Sequence, residues 1–530
     1  MSPAGTGHFP CDICQRTVLL TVASVTQPNP PPITLPDGTA LQRASADKLA
    51  DNFAANSPRL APPRLPLVSA LIHGGVLLVW VALFSAAFAQ AGSSGLWAWA
   101  VGVAYVLYDT VLLLFVAWQT RPLWQAQPRP PTALPGAQCS LAVIIAAHDE
   151  AQVLPQTLAA LWAQTDRPQQ IVIADDGSTD ATAELLTSRY GLHAPAPGAL
   201  SAESDLHPGL HWLRLPHGGK ARALNAALLC VNTELVLTVD GDTLLEAGAV
   251  AAMRQAFAAE PALVVATGVI VPFCGRGAVG RCFEWFQTYE YIRNFLSRYA
   301  WMRVDGLLLI SGAFAGFRLA ALRAVGGFDR ESLVEDYELI HRLHRHARGR
   351  GLDWRVRVIG QAIAQTEAPG SLMPFLRQRR RWFGGFLQTQ YWYRDMVGDR
   401  RLGALGLMML PVKAIDTLQP LYGLAAFGLL LSFIVRGQLG VLAPVAGVIA
   451  AKIVLDLVFH LGSVQLYRRW VGRQLGVPAK MGEALLAALV EPFSFQLLRH
   501  SGAAWGWWAF LSGRSGWGRQ VRQGMDQRAR

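Results

Sequence analysis

Three acidic clusters and one basic, aromatic run carry the chemistry legible in this chain of 530 residues. Gln378-Arg379-Arg380-Arg381-Trp382 gathers groups suited to a diphosphate and a sugar ring. Arg forks match phosphate oxygens, a Gln amide bonds hydroxyls, and the indole face of Trp382 stacks on a pyranose. Upstream stand Asp175-Asp176, Asp240-Gly241-Asp242 and Glu335-Asp336. Asp240 and Asp242 flank a residue without a side chain. At a strand end both can face one hard cation, Mg2+ or Mn2+, that bridges a diphosphate, although such a triplet also makes an ordinary turn. Asp175-Asp176-Gly177-Ser178 reads either as an Asx turn or helix cap, or as a nucleotide contact, through Asp176 first with Asp175 beside it. Lys220 is one of only five lysines. It follows Gly218-Gly219, which lets a phosphate approach closely; a solvated lysine at a helix start is the alternative. Asp336 opens a helix, as a dipole partner or as a general base for an acceptor hydroxyl.

The elements that must position these groups divide the chain. With 52% hydrophobic and 16% charged residues, the composition is that of a polytopic membrane protein carrying a globular domain. The net charge of +11 is mostly arginine and clusters beside apolar spans, which fits anionic lipid and a nucleotide better than nucleic acid. Residues 1–62 are rich in Pro, Ala, Thr and Ser and read as a disordered tail; the lone Cys11/Cys14 pair has no partner pair nearby to make a zinc site. A hairpin of two membrane-length runs occupies 65–119, with Arg59, Arg64 and Arg121 on its outer ends placing both in the cytoplasm. Asp109 inside the second run is expected to face a neighbouring helix or a polar path.

From 139 to 370 the pattern becomes α/β. Residues 141–147, 170–174 and 234–239 read as buried strands, the last two ending at acidic clusters, with helices over 153–164 and 179–190. A mostly parallel, doubly wound sheet binds ligands at the carboxyl ends of its strands. Residues 371–415 read as interfacial helices carrying the Gln-Arg-Trp run, 416–463 as a second pair of spans, and 482–530 as a membrane-associated or spanning segment with a basic tail.

The order Asp176, Asp240-Gly241-Asp242, Glu335-Asp336, Gln378-x-x-Arg381-Trp382 resembles the family 2 processive glycosyltransferases, which include cellulose, hyaluronan and poly-β-1,6-N-acetylglucosamine synthases. Ser311-Gly312-Ala313-Phe314, Gly326-Gly327-Phe328 and Trp517-Gly518-Arg519 extend the likeness. The resemblance implies a GT-A domain, an α/β fold with a doubly wound mixed sheet, inserted between transmembrane helices. It implies nucleotide contacts at Asp176 and Lys220, and metal and diphosphate contacts at Asp240 and Asp242. Asp336 would be the base, with Gln378, Arg381 and Trp382 holding the diphosphate and the acceptor sugar. Two positions depart from the pattern: Val334 precedes Glu335-Asp336 in place of a small polar residue, and His148-Asp149 stands where an aromatic-Asn pair is common. The expected activity is inverting transfer from a UDP-sugar (UDP-N-acetylglucosamine or UDP-glucose) to a growing β-linked polysaccharide, coupled to export through the spans. Expected partners are the donor, the acceptor, membrane lipids and accessory export subunits, with the chain in the inner (plasma) membrane and its catalytic domain cytoplasmic. A non-processive transferase acting on a lipid and a nucleotide-binding transporter are the rivals.

Overall fold

The computed structural model describes residues 43–89, 96–125, 139–472 and 481–513. Cys11, Cys14 and the 517–519 stretch lie outside them. The expected tail ends earlier than its composition suggests, because Arg43–Asn56 forms a helix, α1. Asn52 donates to the Arg323 carbonyl at 2.9 Å and Asn56 to that of Ala324 at 3.2 Å. Arg59 then forks onto the buried carboxylate of Asp329, both bonds at 3.0 Å. Partners some 270 positions away hold this helix, so no local apolar pattern announces it.

Helices α2 (Leu67–Ala89) and α3 (Ala100–Gln119) follow. Their runs of Leu, Val, Phe and Ala leave large apolar side chains facing outward, as lipid-facing spans do. Strands β1 (Leu141–Ala147), β2 (Gln170–Asp175), β3 (Ala199–Leu200), β4 (Leu210–Arg214), β5 (Leu235–Asp240), β6 (Thr243–Leu245), β7 (Leu263–Phe273), β8 (Phe314–Arg318) and β9 (Arg355–Glu367) form one sheet. Its order is β3-β4-β2-β1-β5-β8-β7-β9-β6. The block β4-β2-β1-β5 is parallel, while β8 runs antiparallel to both β5 and β7, so the sheet is mixed as expected. Leu141, Val143 and Ile145 pack into one core and Ala142 and Ile144 into the other, which is why β1 reads as an unbroken apolar run.

Helices α4 (Leu154–Trp162), α5 (Thr182–Ser188), α6 (Lys220–Cys230) and α7 (Ala249–Ala259) connect these strands. The helix expected from 179 begins only at Thr182, since Asp149 accepts the amides of Thr179 and Asp180 at 2.7 and 3.2 Å. Beyond them come α8 (Ala278–Arg303), α9 (Glu335–Arg350) and α10 (Leu372–Trp392), then α11 (Gln419–Val435), α12 (Leu439–Tyr467) and α13 (Phe495–Leu511). Among the described residues, three helices are long and apolar enough to cross a membrane, or up to five if each of two bent pairs is one span. One bent pair joins Leu405–Asp416, the stretch with Pro411 and Lys413, to α11 at 41°, and by length and composition the pair has the character of a broken span or a re-entrant loop. The other, Met481–Phe493 with α13, bends by 45° at Ser494, just after the turn Glu491–Phe493. Asp109 meets Lys452 of α12 at 2.7 Å, so it faces a neighbouring helix.

Helix α9 is anchored from within. Arg342 forks onto Glu338 at 3.0 and 2.7 Å, both side chains fully buried, and the Tyr393 hydroxyl donates to the same carboxylate at 2.5 Å. Glu338→Ala would strand a buried guanidinium, and breaking such a pair costs about 3–5 kcal/mol. A clearly lower unfolding midpoint of the purified protein in detergent is expected; an unchanged midpoint would contradict this account of α9.

Candidate active site

The carboxyl ends of β1, β2 and β5 open into one cavity of about 1200 Å³, closed on the far side by α8, α9 and α10. Asp240 ends β5, and its Oδ1 lies 2.6 Å from Lys220 Nζ. Lys220 stands at the first position of α6, after Gly219 takes a positive φ of 92° that turns the chain into the helix. The ammonium also lies 3.4 Å from Glu335 Oε1 and donates to the Gly312 carbonyl at 3.2 Å. Burial works against its charge, but Asp240 and Glu335 outweigh that and push the Lys220 pKa up. Asp242 is 2% exposed and accepts from Thr366 and Thr243 at 3.3 and 3.4 Å.

Asp336 begins α9 beside this group and accepts the Tyr337 amide at 2.8 Å. Its carboxylate is packed so closely on Gly312 that a Cβ there would come within 2.8 Å of Oδ2. Burial first, then Glu335, raises the Asp336 pKa, opposed by Lys220, the Tyr337 amide and Arg381. A carboxyl held above its usual range is a better base near neutral pH.

Helix α10 delivers the Gln-Arg-Trp run, and its members divide. Gln378, Arg381 and Trp382 line the cavity. Arg381 donates to the Leu333 carbonyl at 3.0 Å, which ties it to the turn before Asp336. Gln378 Oε1 is buried without a hydrogen-bond donor among the described residues. Arg379 instead turns inward, forks onto Glu290 of α8 at 2.6 and 3.0 Å, and stacks on Phe375 and Trp382 with centroid distances of 4.6 and 4.4 Å. It positions the indole. Behind it, Gly502 and Gly506 let α13 lie directly on α10: a Cβ on either would meet Arg379 at 2.6 Å or the Arg380 carbonyl at 2.9 Å.

Asp176 and Asp175 also divide. Asp176 lines the cavity and accepts the amides of Gly218 and Gly219, each at 2.8 Å. Asp175 does not reach the cavity. Its oxygens accept from the Ser178 amide at 2.8 Å and the Trp212 indole at 3.1 Å, so it makes the Asx turn and buries a structural bond. The expectation of a nucleotide contact at Asp175 is therefore corrected. The sequence reading also missed Tyr291, Asn294 and Arg298, which line the cavity from α8. Their spacing of three and four places them on one helical face, a period readable in the sequence only once that helix is known to border the site. Burial pulls the Arg298 pKa down, with Asp336 opposing it.

Acidic groups at strand ends, a basic-aromatic helix opposite, and flanking helices of membrane length define a GT-A glycosyltransferase domain set among apolar helices. The chain carries family 2 glycosyltransferase domains: the family described as "Glycosyl transferase family 2" matches residues 142–326, and "Glycosyl transferase family group 2" matches 235–459. A poly-beta-1,6-N-acetyl-D-glucosamine synthase of Staphylococcus epidermidis is 24% identical over 281 residues, 52% of this chain and 61% of that one. One from Staphylococcus aureus (strain COL) is 27% identical over 244 residues, 46% of this chain and 53% of the relative. The chain thus spans little more than half the length of these curated relatives. The solved mannosyltransferase PcManGT from Pyrobaculum calidifontis, in complex with GDP-Man and Mn2+, is similar at a TM-score of 0.48 and 20% identity, over 75% of this chain and 99% of that one.

Since Asp175 serves the fold, Asp175→Ala is expected to cost about 1–3 kcal/mol of stability through the stranded Trp212 and Ser178 donors. UDP affinity per folded molecule should stay within about twofold. A loss of UDP binding at full stability would restore Asp175 to the site.

Proposed function

We propose that this chain transfers a hexose from a UDP-sugar, UDP-N-acetylglucosamine or UDP-glucose, to a growing β-linked polysaccharide at a membrane surface, with inversion at the anomeric carbon. One observation carries this reading: residues 176, 220, 240, 242, 336, 378, 381 and 382, from four separate elements and the loops beside them, all line a single cavity. Asp176, through the loop it pins, and Lys220 would hold the nucleotide. The oxygens of Asp240 and Asp242 would suit a hard divalent ion because both donors are carboxylate, although the Lys220 ammonium on Asp240 would compete with it for that oxygen. When bound, Mg2+ or Mn2+ would supply positive charge to the diphosphate.

Asp336 would accept the proton of the acceptor hydroxyl while that oxygen bonds to the anomeric carbon. The bond from that carbon to the diphosphate breaks, and the charge left on phosphate is met by Lys220 and Arg381. Trp382, fixed by Arg379, offers a flat face to the terminal acceptor sugar, and Gln378 Oε1 an acceptor for its hydroxyls. The basic residues outside α2 and α3 support a cytoplasmic catalytic domain in the inner (plasma) membrane. The flanking spans would pass the product outward, and their exposed faces would meet lipid and accessory export subunits.

Purified protein given UDP-sugars and Mg2+ or Mn2+ should release UDP and form polymer; single-sugar lipid products would select the lipid-acceptor alternative. Asp336→Asn is expected to lower kcat by roughly 10²–10⁴-fold, the range typical of a general base. Full turnover in that variant would remove the assignment, and turnover undiminished by chelator would remove the metal.

The pH profile offers a separate check. The raised Asp336 pKa puts the acidic limb of kcat/KM above the ordinary carboxylate range, with activity lost as pH falls through it. Lys220→Met takes away a charge that lowers this pKa, so the limb should move to higher pH. A limb that stays put would show that Lys220 does not act on the base.

A further inference from the structure

Beside the carboxylate set, at the nucleotide end of the cavity, stands a group of different chemistry. His148 leaves β1 and His217 precedes the Gly218-Gly219 turn, and their rings stack with centroids 4.4 Å apart and planes 27° apart. Both Nδ1 atoms point at one oxygen, the Asp176 carbonyl, at 3.0 and 3.1 Å. A carbonyl only accepts, so each neutral ring carries its proton on Nδ1 and keeps a lone pair on Nε2. That N–H to backbone carbonyl bond is how ligating histidines are commonly held and aimed. His217 Nδ1 also lies 2.9 Å from Asp176 Oδ2. Ligand atoms of His148, Asp176 and His217 fall within 4.8 Å of one another. Metal bonds of about 2.0–2.1 Å put tetrahedral neighbours roughly 3.3 Å apart, so a shared ion requires the two rings to turn out of their stack and the set to draw together.

The surroundings favour a cation. Asp149 and Asp180 also line the cavity, and Asp149 Oδ2 lies 3.7 Å from His148 Nε2. Asp149 adopts a positive φ of 55°, uncommon outside glycine, with Oδ1 taken by the Thr179 and Asp180 amides. The backbone thus sets one free carboxylate oxygen beside His148. Two imidazoles with one carboxylate suit Zn2+, whereas the all-oxygen set of Asp240 and Asp242 suits Mg2+ or Mn2+.

We propose that His148, His217 and Asp176 form a second cation site, for a borderline-soft divalent ion such as Zn2+, whose occupation obstructs the nucleotide end of the cavity. The ion bridges the end of β1 to the loop before Lys220 and lies over Asp176, where the nucleotide would enter. Binding of the ion stands by itself; obstruction rests on the reading of this cavity as the donor site.

The test uses the tag-free full chain in detergent, with excess Mg2+ to occupy the oxygen ligands. Calorimetric titration with Zn2+ should find one tight site in the wild type, weakened at least tenfold in His148→Gln/His217→Gln. Co2+ in place of Zn2+ should give a visible ligand-field band in the wild type only. The two side chains are 42% and 64% exposed, so the double variant should fold, which its unfolding midpoint verifies. Equal Zn2+ affinity in the two proteins, or no Zn2+ bound by the wild type, overturns the site. UDP binding is then titrated with and without Zn2+. An affinity at least tenfold lower with Zn2+ in the wild type, and unchanged by Zn2+ in the variant, supports obstruction; equal affinity overturns obstruction alone. Absence of UDP binding even without Zn2+ overturns the donor-site reading instead.

Discussion

The ammonium of Lys220 is the constraint on which the site depends. Asp240, Asp242, Glu335 and Asp336 line one cavity and are largely buried, and like charges there repel more than in bulk water. Lys220 sits against Asp240 and Glu335 and so joins the end of β5 to the start of α9. Its partners keep it charged, and its charge in turn restrains the pKa of Asp336. The glycine turn before it, pinned by both oxygens of Asp176, ties that ammonium to β2 as well. Three parts of the sheet's carboxyl edge are thereby fixed around one cation.

A second set of ion pairs couples this edge to the apolar helices. Arg379 forks onto Glu290 of α8, and two residues further along the same helix Arg381 reaches the turn before Asp336. One turn beyond Glu290, Arg293 is paired with Glu491 at the break before α13, and Arg499 of α13 reaches Glu491 at 3.1 Å. Buried pairs of this kind add little net stability, but each is costly to break on one side only. They therefore fix register more than they add strength: α10 can present Trp382 to the cavity only in the one position that satisfies Glu290. The close approach of α13, allowed by Gly502 and Gly506, holds that register from the other side. Tyr291, Asn294 and Arg298 reach the cavity from the helix that carries Glu290 and Arg293, so the cavity wall and the anchor to Glu491 share one helix.

What could be read along the chain was whatever short-range periodicity and local composition encode. Apolar runs gave β1, β2 and β5, the membrane-length helices followed from unbroken hydrophobicity, and the clusters at Asp176, Asp240 and Glu335-Asp336 stood out because charge interrupts buried strands or opens a helix. The same local view ranked Asp176 ahead of Asp175 without excluding Asp175, and only the family resemblance set Arg381 apart from Arg379. Neighbouring residues of one type point in different directions, and the partners that occupy Asp175 and Arg379, namely Trp212 and Glu290, lie 37 and 89 positions away. It could not see α1, whose anchors at Arg323, Ala324 and Asp329 are more distant still.

The sequence by itself determined the layers, the edge of the sheet where chemistry gathers and the residue types available there, because those follow from backbone periodicity and side-chain chemistry. Only the tertiary structure decided which carboxylate faces the cavity, which guanidinium braces the indole and which helix supplies the remaining wall. Those choices depend on burial and on hydrogen-bond partners brought together across long stretches of chain, and no local pattern of residues records them.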